Sequence, residues 1–168
     1  MSDQPPSLAT TPSVWDEQPV IPPDPSPQLR TVLSFIQGLQ ESNFPLVKTM
    51  MTEDFTMSIL PQSLGIPIRP RDEWLETCER ASLLWPKSFR LDILDINESP
   101  GKLWLHGIAT ARAKMGKAYE NEYMIMFRLT DGKETDGESK ISEMKEFMDS
   151  LYTSNFAAEV GKSLSQIK

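Results

Sequence analysis

Histidine and cysteine, two residue types that often carry out acid–base or nucleophilic chemistry, occur only once each in this 168-residue chain. His106 is the only histidine and Cys78 the only cysteine. These counts exclude an intrachain disulfide, a cysteine-based metal cluster and any site that needs two histidines, such as a zinc site of the HExxH type. Any catalysis would therefore depend on carboxylates, on tyrosines or on the shape of a binding pocket.

Charge and hydropathy narrow the function classes further. The chain has 17 Lys and Arg against 24 Asp and Glu, a net charge of −7, which argues against a general nucleic-acid binder. No apolar run approaches the roughly 20 residues that span a bilayer. The N-terminus lacks the basic-then-apolar pattern of a secretory signal. We therefore expect a cytoplasmic protein that binds neither nucleic acid nor a membrane.

Proline separates an N-terminal arm from the part that folds. Eight of the 14 prolines lie between Pro5 and Pro27. Because proline lacks an amide donor and fixes φ, residues 1–27 are predicted to form a disordered, mobile, polyproline-like arm. Trp15 is the one large apolar side chain of this arm, either an exposed group or a peptide anchor that docks on a partner or on the domain. Residues 28–152 are predicted to form one domain, followed by a polar, partly helical tail at 153–168.

Apolar periodicity gives the order of elements in that domain. Two helices follow Gln28, then a strand over 55–60 and a third helix opened by Pro70. Four consecutive strands are predicted over 89–96, 103–115, 119–130 and 140–151. Helices followed by a run of strands favour an α+β fold with an antiparallel sheet wrapped around the helices.

Two local patterns accompany this order. The first is a helix-to-strand passage with FIQGL at 35–39, NF at 43–44 and MTEDF at 51–55. The second is a hairpin with YMIMFRLTDG at 123–132 and KISEMKEFMD at 140–149. Together they resemble the nuclear transport factor 2-like superfamily and, within it, the SnoaL-like polyketide cyclases. The resemblance implies a single α+β domain with a cone-shaped, curved antiparallel sheet, closed by helices over a pocket.

Strand alternation then assigns residues to the pocket. On the strand from Leu103 the odd positions are small and apolar, and on the last strand the even positions carry two methionines and one charge. We predict that the ligand contacts an apolar set with one amide: Phe35, Ile59, Gly107, Ala109, Asn121, Ile125, Phe127, Met144 and Met148.

Glu146 is the one carboxylate placed inside this apolar cup. Burial raises the pKa of a carboxyl group, which suits a proton shuttle near neutral pH. The resemblance implies the same role, since SnoaL-like cyclases and limonene epoxide hydrolase-like enzymes look to carry an acid–base Asp at the matching position. Tyr123, with Asn121, would hydrogen-bond the developing oxyanion. Alternatively, Glu146 faces solvent beside Lys145 or pairs with Arg112 or Lys114.

The chain lacks the catalytic residues of several other enzymes in the superfamily that it resembles. Phe35 replaces the helix tyrosine of the ketosteroid isomerase pattern, and Ile125 replaces its second acid. Gly107 and Ala109 replace the Arg-x-Asp pair of the epoxide hydrolases. Scytalone dehydratase-like chemistry uses two histidines. These missing residues do not argue against a cyclase, which needs only one acid–base group.

Two functions follow as expectations. The first is a cyclase or isomerase, or a lyase, acting on a polyketide or terpenoid-like substrate with no cofactor and no metal. The alternative is a non-catalytic module that binds a small apolar molecule or a protein. On the strand from Leu103, alternation places Trp104, His106 and Ile108 on the outer sheet face, which indicates a partly apolar patch. The resemblance implies a homodimer through that face, because related folds commonly dimerise there.

Overall fold

A computed structural model describes residues 21–84, 89–114, 116–132 and 137–166 of the chain. Trp15, most of the predicted arm and Trp85 lie outside these ranges. The helices are α1 (Pro27–Gln40), α2 (Phe44–Thr49), α3 (Arg71–Ser82) and α4 (Ser150–Gln166). The strands are β1 (Met51–Leu60), β2 (Arg69–Pro70), β3 (Arg90–Ser99), β4 (Lys102–Arg112), β5 (Ala118–Leu129) and β6 (Ile141–Met148), and a short 3-10 turn spans Gln62–Leu64.

The first helix is fixed by its cap and by its apolar face. The side chain of Ser26 accepts a hydrogen bond from the Leu29 amide at 3.0 Å, and Pro27 occupies the first turn, where no amide donor is needed. Val32, Phe35 and Ile36 recur at helical spacing and are buried against the sheet. These contacts place α1 across the concave side of the sheet.

The six strands form one mixed sheet in the order β2-β1-β6-β5-β4-β3. The α+β class and the curved sheet are confirmed. One pairing differs from the antiparallel expectation, because β1 and β6 run parallel. Parallel neighbours need a long connection, and here α3 and the four strands β2 to β5 separate the two in sequence. This pairing makes the first and last strands neighbours inside the sheet, one position in from the short edge strand β2.

Two local features bend the sheet toward the helices. A Cβ at Gly107 would lie 2.8 Å from the backbone oxygen of Asp92, so β3 and β4 approach more closely there than another residue permits. The pairing of β3 with β4 is also irregular between Ile93 and Asp95, and such bulges increase strand bending. The sheet therefore curls around a space that the helices cover.

Aromatic side chains fill the deep end of that space. Phe35 of α1 stacks on Trp74 of α3 with ring centroids 5.7 Å apart, and it meets Phe127 of β5 edge-on at 5.9 Å. Phe55 of β1 lies 5.6 Å from Trp74. This cluster anchors two helices on two strands and forms a rigid floor.

The C-terminal helix is more than a polar tail. Tyr119 of β5 packs against Tyr152 and Phe156 of α4, with centroids 5.6 and 5.0 Å away. The predicted domain boundary at 152/153 therefore falls inside a helix that packs on the sheet. No helix among the described residues is long and apolar enough to cross a membrane.

Candidate functional site

A cavity of about 280 Å³ lies between the concave face of the sheet and the helices α1, α2 and α3. Its lining is mostly apolar and draws on all six strands. The predicted site residues that line it are Phe35, Ile59, Ala109, Tyr123, Ile125, Phe127, Met144 and Glu146. The predicted site residues absent from its lining are Gly107, Asn121 and Met148.

Each of the three residues outside the lining has a structural reason to be there. Gly107 lies where the backbone of β3 approaches β4 closely, as described above. Asn121 is buried, and its amide donates to Thr153 Oγ1 at 2.8 Å and to the Asp149 carbonyl at 3.3 Å. Met148 is buried and accepts a hydrogen bond from Thr153 Oγ1 at its sulfur. The last two therefore face the interior as alternation predicts, but α4 covers them.

Glu146 stands in an apolar part of the cavity. The register places it opposite Ile125 on β5 and opposite Ile59 on β1. Burial raises the pKa of its carboxyl from 4.5 to about 7, and the positive charge of Arg69 opposes that rise. Within the described residues no hydrogen bond or ion pair reaches this carboxylate. Glu146 is thus poised to hold or release a proton near neutral pH.

The alternative arrangement for Glu146 does not match the structure. Lys145 lies on the other face of β6, where its ammonium pairs with Glu143 at 3.1 Å. The Arg112 guanidinium donates to the Gly116 carbonyl at 2.9 Å. Glu146 points into the cavity instead of joining these surface groups.

Tyr123 lies beside Glu146 and is already hydrogen-bonded. Its hydroxyl is 2.5 Å from the hydroxyl of Tyr119, which also accepts from the Asn121 amide at 3.2 Å. Burial raises the pKa of Tyr123, and the negative charge of Glu146 raises it further. Tyr123 is therefore a neutral hydrogen-bonding group, held in place by a network that extends to α4.

The sequence analysis missed the role of two cavity residues. Arg69 lies on β2, a two-residue strand that the predicted element order lacked, opposite Met57 of β1. The prolines on either side of Ile68 and Arg69 favour extended backbone and were the available signal. Cys78 also lines the cavity, and burial together with the Glu146 charge raises its pKa to about 12, so the thiol stays protonated.

Metal-ligating side chains are not gathered at this site. Within the part of the chain that the structure describes, no three His, Cys, Asp or Glu side chains are placed to hold a metal ion.

The outer face of the sheet exposes three large apolar side chains, among them Trp104, which was predicted to lie there. Trp104 is 50% exposed, Phe147 50% and Met124 38%. Met124 pairs with Phe147 across β5 and β6, and with His106 across β4 and β5. His106 in turn contacts the Glu122 carboxylate at 2.6 Å. We call Trp104, Met124 and Phe147 the outer patch.

Comparison with known proteins begins with sequence. No protein-family model matches the chain. The monooxygenase AacuO of Aspergillus aculeatus is 27% identical over 143 residues, which cover 84% of this chain and 85% of that protein. An ergochrome gene cluster protein of Claviceps purpurea is 28% identical over 127 residues, covering 74% of this chain and 78% of that protein.

Solved structures give a closer match in shape than in sequence. The BvnE pinacolase of Penicillium brevicompactum aligns with a TM-score of 0.68 at 19% identity, covering 82% of this chain and 98% of that one. PrhC of Penicillium brasilianum aligns with a TM-score of 0.70 at 17% identity, covering 82% and 90%. These alignments show that the chain shares its fold with both structures, as the sequence resemblance led us to expect.

Proposed function

We propose that this chain is a SnoaL-like cyclase or isomerase in which Glu146 removes a proton from a carbon next to a carbonyl group and later returns it. One observation carries the proposal. Glu146 is the only carboxylate among the described residues that line the cavity, and its surroundings bring its pKa to about 7. A general base works best when its pKa lies near the operating pH.

The chemistry balances with proton transfers alone. The Glu146 carboxylate takes the C–H proton, and the electron pair of that bond moves onto the carbonyl oxygen to form an enolate. In a cyclisation the enolate carbon then bonds to a second carbonyl carbon, and the protonated Glu146 donates to the resulting alkoxide. In an isomerisation it donates to a different carbon of the enolate. Neither route needs a cofactor or a metal.

The size and lining of the cavity support an apolar polyketide or terpenoid-like substrate. A dry cavity of roughly 150 Å³ accepts benzene. The cavity here, at about 280 Å³, has room for a flat bicyclic skeleton. Aromatic side chains such as Phe35, Trp74 and Phe127 offer faces on which such a skeleton can stack.

Monooxygenation is a second candidate, favoured by the name of the AacuO relative. It would begin with the same proton abstraction by Glu146. The resulting carbanion would reduce dioxygen to a carbon-bound hydroperoxide, and loss of water would leave a new carbonyl group. Dioxygen is the oxidant in this route, so oxygen consumption distinguishes it from cyclisation and isomerisation.

A non-catalytic module remains the alternative. It would bind a small apolar molecule in the same cavity without turnover. The outer patch supports a homodimer under either function, because exposed large apolar groups on adjacent strands favour a protein interface.

Hydrogen–deuterium exchange of 2-tetralone, a bicyclic ketone, tests the proposal. Wild-type protein in D₂O should accelerate exchange at the carbons next to the carbonyl, and Glu146→Gln should remove that acceleration, as followed by NMR. Glu143→Gln is the matched control, because it deletes the same charge on the outer face of the same strand. Binding of 2-tetralone without acceleration would favour the non-catalytic module. Equal acceleration by wild type and Glu146→Gln would show that Glu146 is not the base.

A further inference from the structure

We infer that Arg69 holds the ionised oxygen of the ligand, so that the cavity selects flat apolar molecules carrying an enolate, or an anion of the same shape. The inference rests on the proposed function and deepens it, because it assigns the partner of the charge that proton abstraction creates. Tyr123 and Asn121 were the expected partners of that charge. Asn121 lies outside the cavity lining and donates to Thr153 Oγ1, and the Tyr123 hydroxyl shares a hydrogen bond with that of Tyr119.

Strand register places Arg69 and Glu146 on opposite sides of β1. Arg69 pairs with Met57, and Glu146 pairs with Ile59 two residues further along the same strand. Neighbouring strands lie about 4.8 Å apart, so the two backbones are separated by roughly 10 Å. Both side chains line the cavity. A ligand on β1's inner surface can therefore touch the carboxylate and the guanidinium together.

Arg69 is also available for a ligand. Within the described residues its guanidinium forms no hydrogen bond and no ion pair. Nearby Arg71, by contrast, contacts both the Thr52 carbonyl and the Asp72 carboxylate. Arg69 is partly buried beside an apolar lining, where a charged group gains most from a charged partner.

Three other polar groups of the lining are less suitable. The Gln40 side-chain oxygen accepts from the Leu91 amide at 3.1 Å, and the Ser82 hydroxyl donates to the Glu79 carbonyl at 2.7 Å. Cys78 is a weak donor whose thiol stays protonated. Arg69 is the only lysine or arginine among the described lining residues.

This placement divides the proton transfer between two residues. Glu146 takes the proton, and the negative charge that moves onto the carbonyl oxygen meets the forked guanidinium of Arg69, which suits a delocalised oxyanion. The total charge of the three groups does not change during the step. Substrates would be ketones or phenols whose conjugate bases are delocalised over a flat skeleton.

Two matched probes test this inference by calorimetry at pH 6. The probes are 2-naphthoate, which is anionic, and 2-acetonaphthone, which is neutral and has the same bicyclic skeleton and a similar outline. Wild type should bind 2-naphthoate more tightly. Arg69→Gln should weaken 2-naphthoate binding by about tenfold to a hundredfold and change 2-acetonaphthone binding by less than about twofold. Arg80→Gln removes the same charge from an exposed position of α3 and should leave both affinities unchanged.

The outcomes separate this inference from the proposed function. Equal 2-naphthoate binding by wild type and Arg69→Gln overturns the assignment of Arg69, and Glu146-dependent exchange of 2-tetralone would still support the proposed function. Failure of wild type to bind either probe, with no exchange, overturns both. If circular dichroism shows that Arg69→Gln is unfolded, the assignment of Arg69 is tested with Arg69→Lys instead. This variant keeps the positive charge but loses the two parallel N–H donors of the guanidinium. Its affinity for 2-naphthoate should therefore fall several-fold, while its affinity for 2-acetonaphthone should not change.

Discussion

The environment of Glu146 couples the stability of the fold to pH. Its pKa is 4.5 in a solvated chain and about 7 in the folded protein, so between these values the folded state binds more protons than the unfolded state. Stability from this group is therefore fully present below pH 4.5 and is lost as pH rises through 7. The loss is at most about 3 kcal/mol, since Glu146 keeps part of its contact with solvent.

Glu146→Gln should remove this dependence. In urea unfolding measured from pH 4.5 to pH 8.5, the free energy of unfolding of the variant minus that of wild type should rise with pH, by up to about 3 kcal/mol. Glu53→Gln, at an exposed position of β1, is the control for the loss of one carboxylate. A constant difference for Glu146→Gln would mean that its carboxyl is solvated like that of Glu53.

Single residues differ in how far sequence can place them. Alternation put Glu146 and Tyr123 on the inner face because a strand fixes side-chain direction with a period of two. It also put Asn121 and Met148 inside, but it could not show that α4 covers them. Arg69 escaped prediction because its strand has two residues, too few for any period to appear.

Among the elements, β3 and β4 approach each other closely at Gly107. Gly107→Ala would place a methyl group 2.8 Å from the Asp92 backbone oxygen, which cannot move without shifting β3. We expect the free energy of unfolding to fall by about 1–3 kcal/mol, the usual cost of overpacking. Thr110→Ala, on the outer face of the same strand, is the control for urea unfolding. A loss for Gly107→Ala no larger than the control's would show that the strands are not in close contact there.

Irregular pairing limits prediction at the level of elements too. Ile141 and Glu143 are two positions apart, so regular alternation would place them on the same face of β6. Ile141 is nevertheless fully buried, while Glu143 pairs with Arg128 at the surface. The pairings of β6 with β1 and with β5 both shift between these residues. A bulge reverses which positions face inward and outward beyond it. The residue types in this segment gave no signal that predicts a bulge.

At the scale of the whole molecule, the parallel pairing of β1 with β6 joins the first strand of the sheet to the last. Residues near 55 and near 145 become neighbours, although their separation in sequence gives no local signal. The α+β order of elements was readable because each helix and strand carries its own periodicity. The resemblance to a known superfamily supplied the cone and the pocket, which periodicity alone does not specify.

The outer patch should join two copies of the chain. Trp104, Met124 and Phe147 lie on three adjoining strands, and burying such side chains against a second copy removes apolar area from water. The mass of the wild type measured by analytical ultracentrifugation should be twice the chain mass of 19.0 kDa. Phe147→Arg should be a monomer, because it places a charge in the contact between the two copies. Leu151→Arg, at an exposed position of α4 outside the patch, should remain dimeric. A wild-type protein that is monomeric at high concentration would contradict the dimer, and would leave the outer patch as a surface for a different partner.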